Sequence, residues 1–302
     1  MKLPDFEPML ATPWPAPFDD QDWWFEVKWD GYRAVVGSSQ GAVQARSRRG
    51  LDLLGRFPEL AALDVPDGVV IDGEVVAFDG EGRPSFSALQ AGNPVNLVVF
   101  DILFRGADLT GKTYVERRAL LDDLELSTPI VVPDPTPANG TGLFDAVLAQ
   151  GLEGIVGKRG ESRYLAGRRS PDWRKISVRR RLRAVVGGYL PGEGSRAQTF
   201  GSVLVGLFTG EGLHWVGAVG SGFDQGSLSA FIKTFQQLER PTSPFVNKVT
   251  LPGKAVWVEP AIVVGIEFKE WTRDDRLRAP VFKSVEAVDP ETVTWDAERP
   301  EH

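Results

Sequence analysis

The hydrophobic pattern changes within the arginine-rich run at 177–183, and that change limits the chain to two halves built on different plans. Ahead of the run, alternating segments rich in aromatic and β-branched residues are interleaved with stretches of helical period. Residues 23–29, 33–36, 43–46, 69–78 and 97–104 read as strands, with turn signals at Asp30-Gly31 and Gln40-Gly41. Helices are expected over 51–63, 115–126 and 142–150, the last closed by Gly151. Beyond the run, segments such as VVGGYLPG and AVWVEPAIVVGIEFKEW read as short strands broken by glycine turns. One helix at 225–239, capped by Asp224, interrupts them. About five strands and one helix suit a small closed β-barrel such as an OB-fold. The expected class is α+β, with one domain over 1–178 and a second over 184–302.

Composition narrows the chemistry. The chain has no cysteine, which excludes disulfides, thiolate metal sites and cysteine nucleophiles. Its two histidines, His214 and His302, are too few for a histidine zinc site or a Ser-His-Asp triad. Lysine, arginine and carboxylates must carry any reaction, with an oxygen-liganded metal if one is used. The start of the chain lacks the apolar stretch of a signal peptide, and the longest apolar runs are as short as 261–266. A cytoplasmic protein without a membrane span is expected. The net charge is −7, yet 158–183 holds eleven basic residues against two acidic ones, a local balance of +9. That segment reads either as a phosphate-contacting stripe or as a solvated arginine-rich face, and charge alone does not choose.

The strongest local signal is Glu26 followed by Lys28-Trp29-Asp30-Gly31-Tyr32-Arg33, at a strand end that turns sharply. A lysine amine attacks phosphorus and forms a covalent intermediate when it is deprotonated, and nearby cations or partial burial favour that state. An arginine across the turn holds a phosphate by paired hydrogen bonds. An ordinary hairpin with a surface lysine fits the same six residues.

Lys28 to Arg33 resembles motif I of the covalent nucleotidyltransferases, which comprise ATP-dependent DNA ligases, RNA ligases and mRNA capping enzymes. The family's other motifs follow in order. They are Ser47-Arg48-Arg49-Gly50, Asp72-Gly73-Glu74, Phe100-Asp101-Ile102-Leu103, Glu153-Gly154-Ile155-Val156-Gly157-Lys158, and Arg168-Arg169-Ser170 with Trp173-Arg174-Lys175. Pro8-Met9-Leu10-Ala11, Trp257-Val258-Glu259-Pro260 and the stretches 216–223 and 270–280 resemble the ligase module of bacterial end-joining ligases. The resemblance covers essentially the whole chain.

It implies an adenylation (nucleotidyltransferase, ATP-grasp-like) domain ahead of an OB-fold barrel, and an ATP-dependent DNA ligase sealing nicks in duplex DNA during repair. Lys28 would attack the α-phosphate of ATP and carry AMP. Glu26 and Phe100 would hold adenine, with Phe100 stacked on it. Arg33, Arg48 and Arg169 would contact the nucleotide or the nick phosphate. Glu74 would lie near the ribose or a metal, Glu153 would bind Mg²⁺ (or Mn²⁺), and Lys175 would contact the α-phosphate. Lys158 is either a further contact or a solvated strand end. Arg168, Arg174, Arg179, Arg180 and Arg181 are the DNA-contact candidates. A monomer associated with the nucleoid is expected, with repair proteins as candidate partners. The competing readings are an RNA ligase or capping-type enzyme, and a weakly active nick-binding module.

Two departures from the pattern stand out. The family's second lysine after Lys175 is replaced by Ser177. Its last motif, an Arg-x-Asp-Lys pattern after Arg278-Ala279-Pro280-Val281-Phe282, is replaced by Glu286-Ala287-Val288-Asp289. Slow self-adenylation is expected, or compensation by Arg276, Arg278 or Lys283. No further DNA-binding, polymerase or nuclease domain is expected, and the barrel is expected to swing about a hinge near 177–183.

Overall fold

The structure is a computed structural model and describes residues 3–272 and 274–299. Arg273, inside the 270–280 stretch, and His302 lie outside the described residues. The chain divides into two compact units, Met1–Val178 and Arg179–His302.

The first unit holds two five-stranded sheets. Its elements are β1 (Leu10–Pro13), β2 (Asp19–Val27), β3 (Tyr32–Ser39), β4 (Ala42–Ser47), β5 (Val69–Ala77), α1 (Phe86–Gln90), β6 (Val95–Arg105), α2 (Tyr114–Asp122), β7 (Ile130–Val131), β8 (Thr136–Asn139), α3 (Gly140–Ala149), β9 (Gly154–Arg159) and β10 (Arg169–Ser177). One sheet runs β1-β10-β9-β2-β8 and the other β4-β3-β5-β6-β7. The chain leaves the first sheet at Val27 and enters the second at Tyr32, so Lys28 sits in the link between them.

Register sorts the side chains by face, because opposed residues share a face and neighbours along a strand alternate. In the first sheet Glu26, Val156 and Lys175 are in register, as are Trp24, Lys158 and Trp173. These form one face. The other carries Trp23, Phe25, Ile155 and Ile176, which pack with Val147 of α3 in an apolar cluster. In the second sheet, Ala34, Val36, Ile71 and Val75 face a core filled by Leu53, Leu60, Leu89 and Leu121. Val35 and Val70 point the opposite way, toward Met9, Tyr164 and Trp173.

The 115–126 and 142–150 expectations are met by α2 and α3, α2 with a capping box between Thr113 and Glu116. Gly151 follows α3 at φ +67°, a conformation that only glycine adopts freely. The expected helix over 51–63 does not form. That segment turns and then makes one 3-10 helix, Pro58–Ala62. Pro58 has no N–H to donate and disfavours helical geometry at Phe57, so no α-helix runs through it.

The second unit contains β11 (Arg180–Pro191), β12 (Phe200–Thr209), β13 (Gly212–Val219), α4 (Gln225–Gln237), β14 (Glu239–Arg240), β15 (Val256–Phe268), β16 (Val281–Glu286) and α5 (Trp295–Glu298). Asp224 caps α4 through a reciprocal pair with Ser227. The sheet runs β13-β12-β11-β15-β14, with β16 also on β15. A bridge between Ser221 and Val281 joins the end of β13 to β16, so the sheet closes on itself. Gly222 permits that closure, since a Cβ there would stand 2.2 Å from the Phe282 carbonyl oxygen. Among the described residues, no helix is long and apolar enough to cross a membrane.

Candidate active site

Lys28 is held from both sides. Its amide donates to the Gly154 carbonyl at 2.8 Å, and its Nζ lies 2.5 Å from Glu153 Oε2. The turn that follows admits only glycine at position 31, where a Cβ would stand 2.1 Å from the Val75 carbonyl oxygen. The glycine of the motif is thus a packing requirement.

Two fields centre on this amine. Glu74, opposite Arg33 in the register of β3 and β5, has its carboxyl pushed up to about 8. Burial is the main cause; the charges of Arg33 and Lys28 pull the other way, and Glu153 and Asp72 reinforce burial. The Lys175 amine is held below the usual lysine range, first by burial and then by Lys28 and Arg169, with Arg48 also contributing and Glu153 opposing. Glu153, Glu74 and Lys175 are thus each within electrostatic reach of Lys28, while Arg33 acts on Glu74, and Arg48 and Arg169 act on Lys175. Arg48 is exposed in the turn after β4, and Arg169 donates to the Ala11 carbonyl. Clustered cations of this kind suit a phosphate.

Beneath this layer lies a buried polar network. Arg33 forks onto Asp72 at 2.6 and 2.7 Å, and its guanidinium carbon is 4.4 Å from the centre of the Phe100 ring. Lys158 is 1% exposed, which overturns the solvated-strand-end reading. Its Nζ lies 2.8 Å from Glu26 Oε2 and 2.9 Å from the Phe100 carbonyl oxygen. The Tyr114 hydroxyl donates to Glu26 Oε1 at 2.5 Å, so the Glu26 carboxylate has two partners. Arg117 and Asp101, both fully buried, meet through two bonds of 2.7 and 2.9 Å. A charge inside a strand core persists only when it is paired, and each of these is. Asp72, Asp101, Tyr114, Arg117 and Tyr164 had not been singled out as site residues. For Asp72 and Asp101 the signal is an aspartate inside a largely apolar strand, VVIDGEVV and VVFDILF, and no short-range pattern marks Tyr114, Arg117 or Tyr164.

The arginine-rich run does not form one stripe. Lys158 is interior, and Arg174 projects from the face opposite Lys175, stacked 3.8 Å from Trp14 and 4.2 Å from Trp23. Arg168 and Arg179 are exposed and Arg180 is half-buried. Arg181 pairs with Glu267 at 2.7 Å. The three cations expected to compensate for the altered last motif are also engaged. Arg276 donates to the Trp215 carbonyl at 2.5 Å, Arg278 pairs with Glu270 at 2.5 Å, and Lys283 with Glu267 at 3.0 Å.

Among the described residues, no group of three or more histidine, cysteine or acidic side chains could hold a metal by itself. Glu74 and Glu153 are two oxygen donors whose fields overlap. They fit a hard divalent cation that completes its shell with phosphate oxygens and water.

Residues 8–177 match the family model described as ATP dependent DNA ligase domain, and 196–287 match that of the ATP dependent DNA ligase C terminal region. The multifunctional non-homologous end joining protein LigD of Mycolicibacterium smegmatis is 36% identical over 304 residues, which cover 97% of this chain and 40% of that relative. The chain thus spans well under two thirds of the length of that protein. The SPbeta prophage-derived DNA ligase-like protein LigB of Bacillus subtilis is 27% identical, over 92% of this chain and 97% of its own. Among solved structures, the ligase domain of LigD from M. tuberculosis aligns with a TM-score of 0.57 at 36% identity, covering 96% of this chain and 98% of that one. A mycobacterial DNA ligase D complexed with ATP and MES gives 0.58 at 35% identity, with 96% and 98% covered. The fold is that of a nucleotidyltransferase adenylation domain followed by an OB-fold domain.

Proposed function

This chain belongs to the ATP-dependent DNA ligase family, and we propose that it seals nicks in duplex DNA through AMP carried on Lys28. One observation supports the reading above the rest: the amine in the link between the two sheets pairs with Glu153, and Glu74 and Lys175 lie within electrostatic reach of it.

The deprotonated Lys28 amine attacks the α-phosphorus of ATP. A phosphorus–nitrogen bond forms, the bond to the bridging oxygen breaks, and pyrophosphate leaves with the electron pair. A terminal oxygen of the 5′-phosphate at the nick then attacks the same phosphorus and displaces Lys28. The 3′-hydroxyl next attacks the 5′-phosphate, loses its proton and expels AMP. Such transfers depend on positioning and charge neutralisation more than on acid–base groups. Phe100 takes the purine on its ring, and Glu26, fixed by Lys158 and Tyr114, reads the base edge. Arg33, Arg48 and Arg169 hold phosphate oxygens, and Lys175 steadies the charge that builds on the α-phosphate. Glu74 and Glu153 would hold Mg²⁺ or Mn²⁺, which when bound neutralises phosphate charge.

DNA contact falls to the exposed arginines, Arg168 and Arg179 among them, rather than to a continuous stripe. The protein acts as a monomer in the cytoplasm, on nucleoid DNA, in strand-break repair. Both family models describe DNA ligases, so an RNA ligase or capping activity is not favoured. The test is incubation with labelled ATP or GTP, followed by nicked DNA or nicked RNA. Label from ATP passing to nicked DNA, with sealing, supports the reading. Labelling by GTP alone, or nick binding with no adenylate on the chain, overturns it.

A further inference from the structure

Tyr164 lies between β9 and β10, away from the reacting groups, yet it is tied to one of them. It is 3% exposed. Its hydroxyl donates to Asp72 Oδ2 at 2.5 Å and accepts from the Met9 amide at 2.9 Å. Because Met9 N–H is the donor in the second bond, the hydroxyl hydrogen must point at Asp72. Burial pushes the hydroxyl well above the usual tyrosine range, so it stays a donor.

Asp72 is fully buried, and the Arg33 fork takes both of its oxygens. The rotation of that carboxylate therefore sets the plane of the guanidinium. Arg33 NH2 also approaches the Met9 carbonyl at 3.5 Å. Met9 has no exposure, and its sulfur accepts from the Leu165 amide at 3.1 Å. The Tyr164 ring is fixed edge-on to Trp173 at 5.7 Å. Three distant points of the chain, Met9, Asp72 and Tyr164, thus meet at one hydroxyl, Arg33 joins them through Asp72, and the far end of the arrangement is the guanidinium over Phe100.

We propose that Tyr164 is a positioning residue for the ligation reaction: its hydroxyl sets the rotation of the Asp72 carboxylate, and so the placement of the Arg33 guanidinium beside Phe100. The proposal rests on the ligase reading, in which Arg33 holds phosphate oxygens. Misplacing such a group by a fraction of an ångström costs rate more than binding.

The test compares Tyr164→Phe with the parent chain in single-turnover nick sealing, well below the melting temperature of either. The expected result is a rate about 10-fold lower, with KM for ATP within about twofold. The decisive readout is the same substitution in an Arg33→Ala background. There Tyr164→Phe should remove no further rate, because residues acting in one chain of contacts are not additive. A purely structural tyrosine lowers the melting temperature, leaves the rate per folded molecule unchanged, and behaves alike in both backgrounds; that result overturns the proposal. Asp72→Asn is the second variant, expected to lose rate in the parent and nothing more on Arg33→Ala; additive losses contradict the proposal. A parent that takes no AMP on Lys28 defeats the ligase reading instead. A working parent matched by Tyr164→Phe defeats this inference alone.

Discussion

The Nζ of Lys28 and the Oε2 of Glu153 meet at 2.5 Å, with side chains 23% and 12% exposed. The pairing is fixed twice, because the carbonyl of the next residue, Gly154, accepts from the Lys28 amide. On the proposal that Lys28 is the nucleophile, a carboxylate so placed would hold the amine for attack on phosphorus and offer an oxygen to a cation. Replacing Glu153 by Gln keeps the shape and removes the charge. We expect lysyl-AMP formation to fall about 100-fold in rapid-quench measurements, with the fold intact by circular dichroism. A rate within twofold of the parent contradicts this.

Glu74 predicts a pH dependence. Its carboxyl sits at about 8 in the folded chain against an ordinary value of 4.5. Below the ordinary value it is protonated in both folded and unfolded chains, and its contribution to stability is fully present. Between the two values the unfolded chain releases a proton that the folded chain keeps, so stability declines as pH rises and the contribution is lost above the folded value. Glu74→Gln should melt higher than the parent at pH 9 and together with it at pH 4. Coincident melting at both pH values argues against a buried, proton-holding Glu74.

Arg117 and Asp101 test the network beneath the site. Both side chains are fully buried and bonded at 2.7 and 2.9 Å. Arg117→Ala leaves a carboxylate stranded in an apolar strand and should cost about 3–5 kcal/mol in urea unfolding. A loss under about 1 kcal/mol shows that solvent or another cation already serves Asp101.

Gly31→Ala separates the site from the scaffold. The added methyl meets the Val75 carbonyl oxygen at 2.1 Å, which displaces the link that carries Lys28. Lysyl-AMP formation should drop at least about 10-fold even where the protein remains folded. Full activity means that the link relaxes without moving the amine.

Much of this arrangement was legible in the sequence, and the reason is physical. Lys28, Glu74, Glu153 and Lys175 lie far apart in the chain, but each sits in or beside an alternating strand whose face is fixed by its neighbours. The turn glycines and the Asp224 cap were readable because they answer to local backbone geometry. Faces and partners across space were not. Nothing in 158–183 says that Lys158 points inward to Glu26 while Arg174 lies on the aromatic back of the same sheet. The 51–63 stretch has apolar residues at helical spacing, yet Pro58 stops the helix. The pairing of Arg276, Arg278 and Lys283 with their own domain depends on tertiary contacts that no short motif encodes.

The intact mass of the chain after incubation with ATP and Mg²⁺ tests the central claim most directly. The account predicts a gain of one AMP that is absent in Lys28→Ala and is discharged on adding nicked duplex DNA. No gain in the parent, or a gain that survives Lys28→Ala, contradicts it.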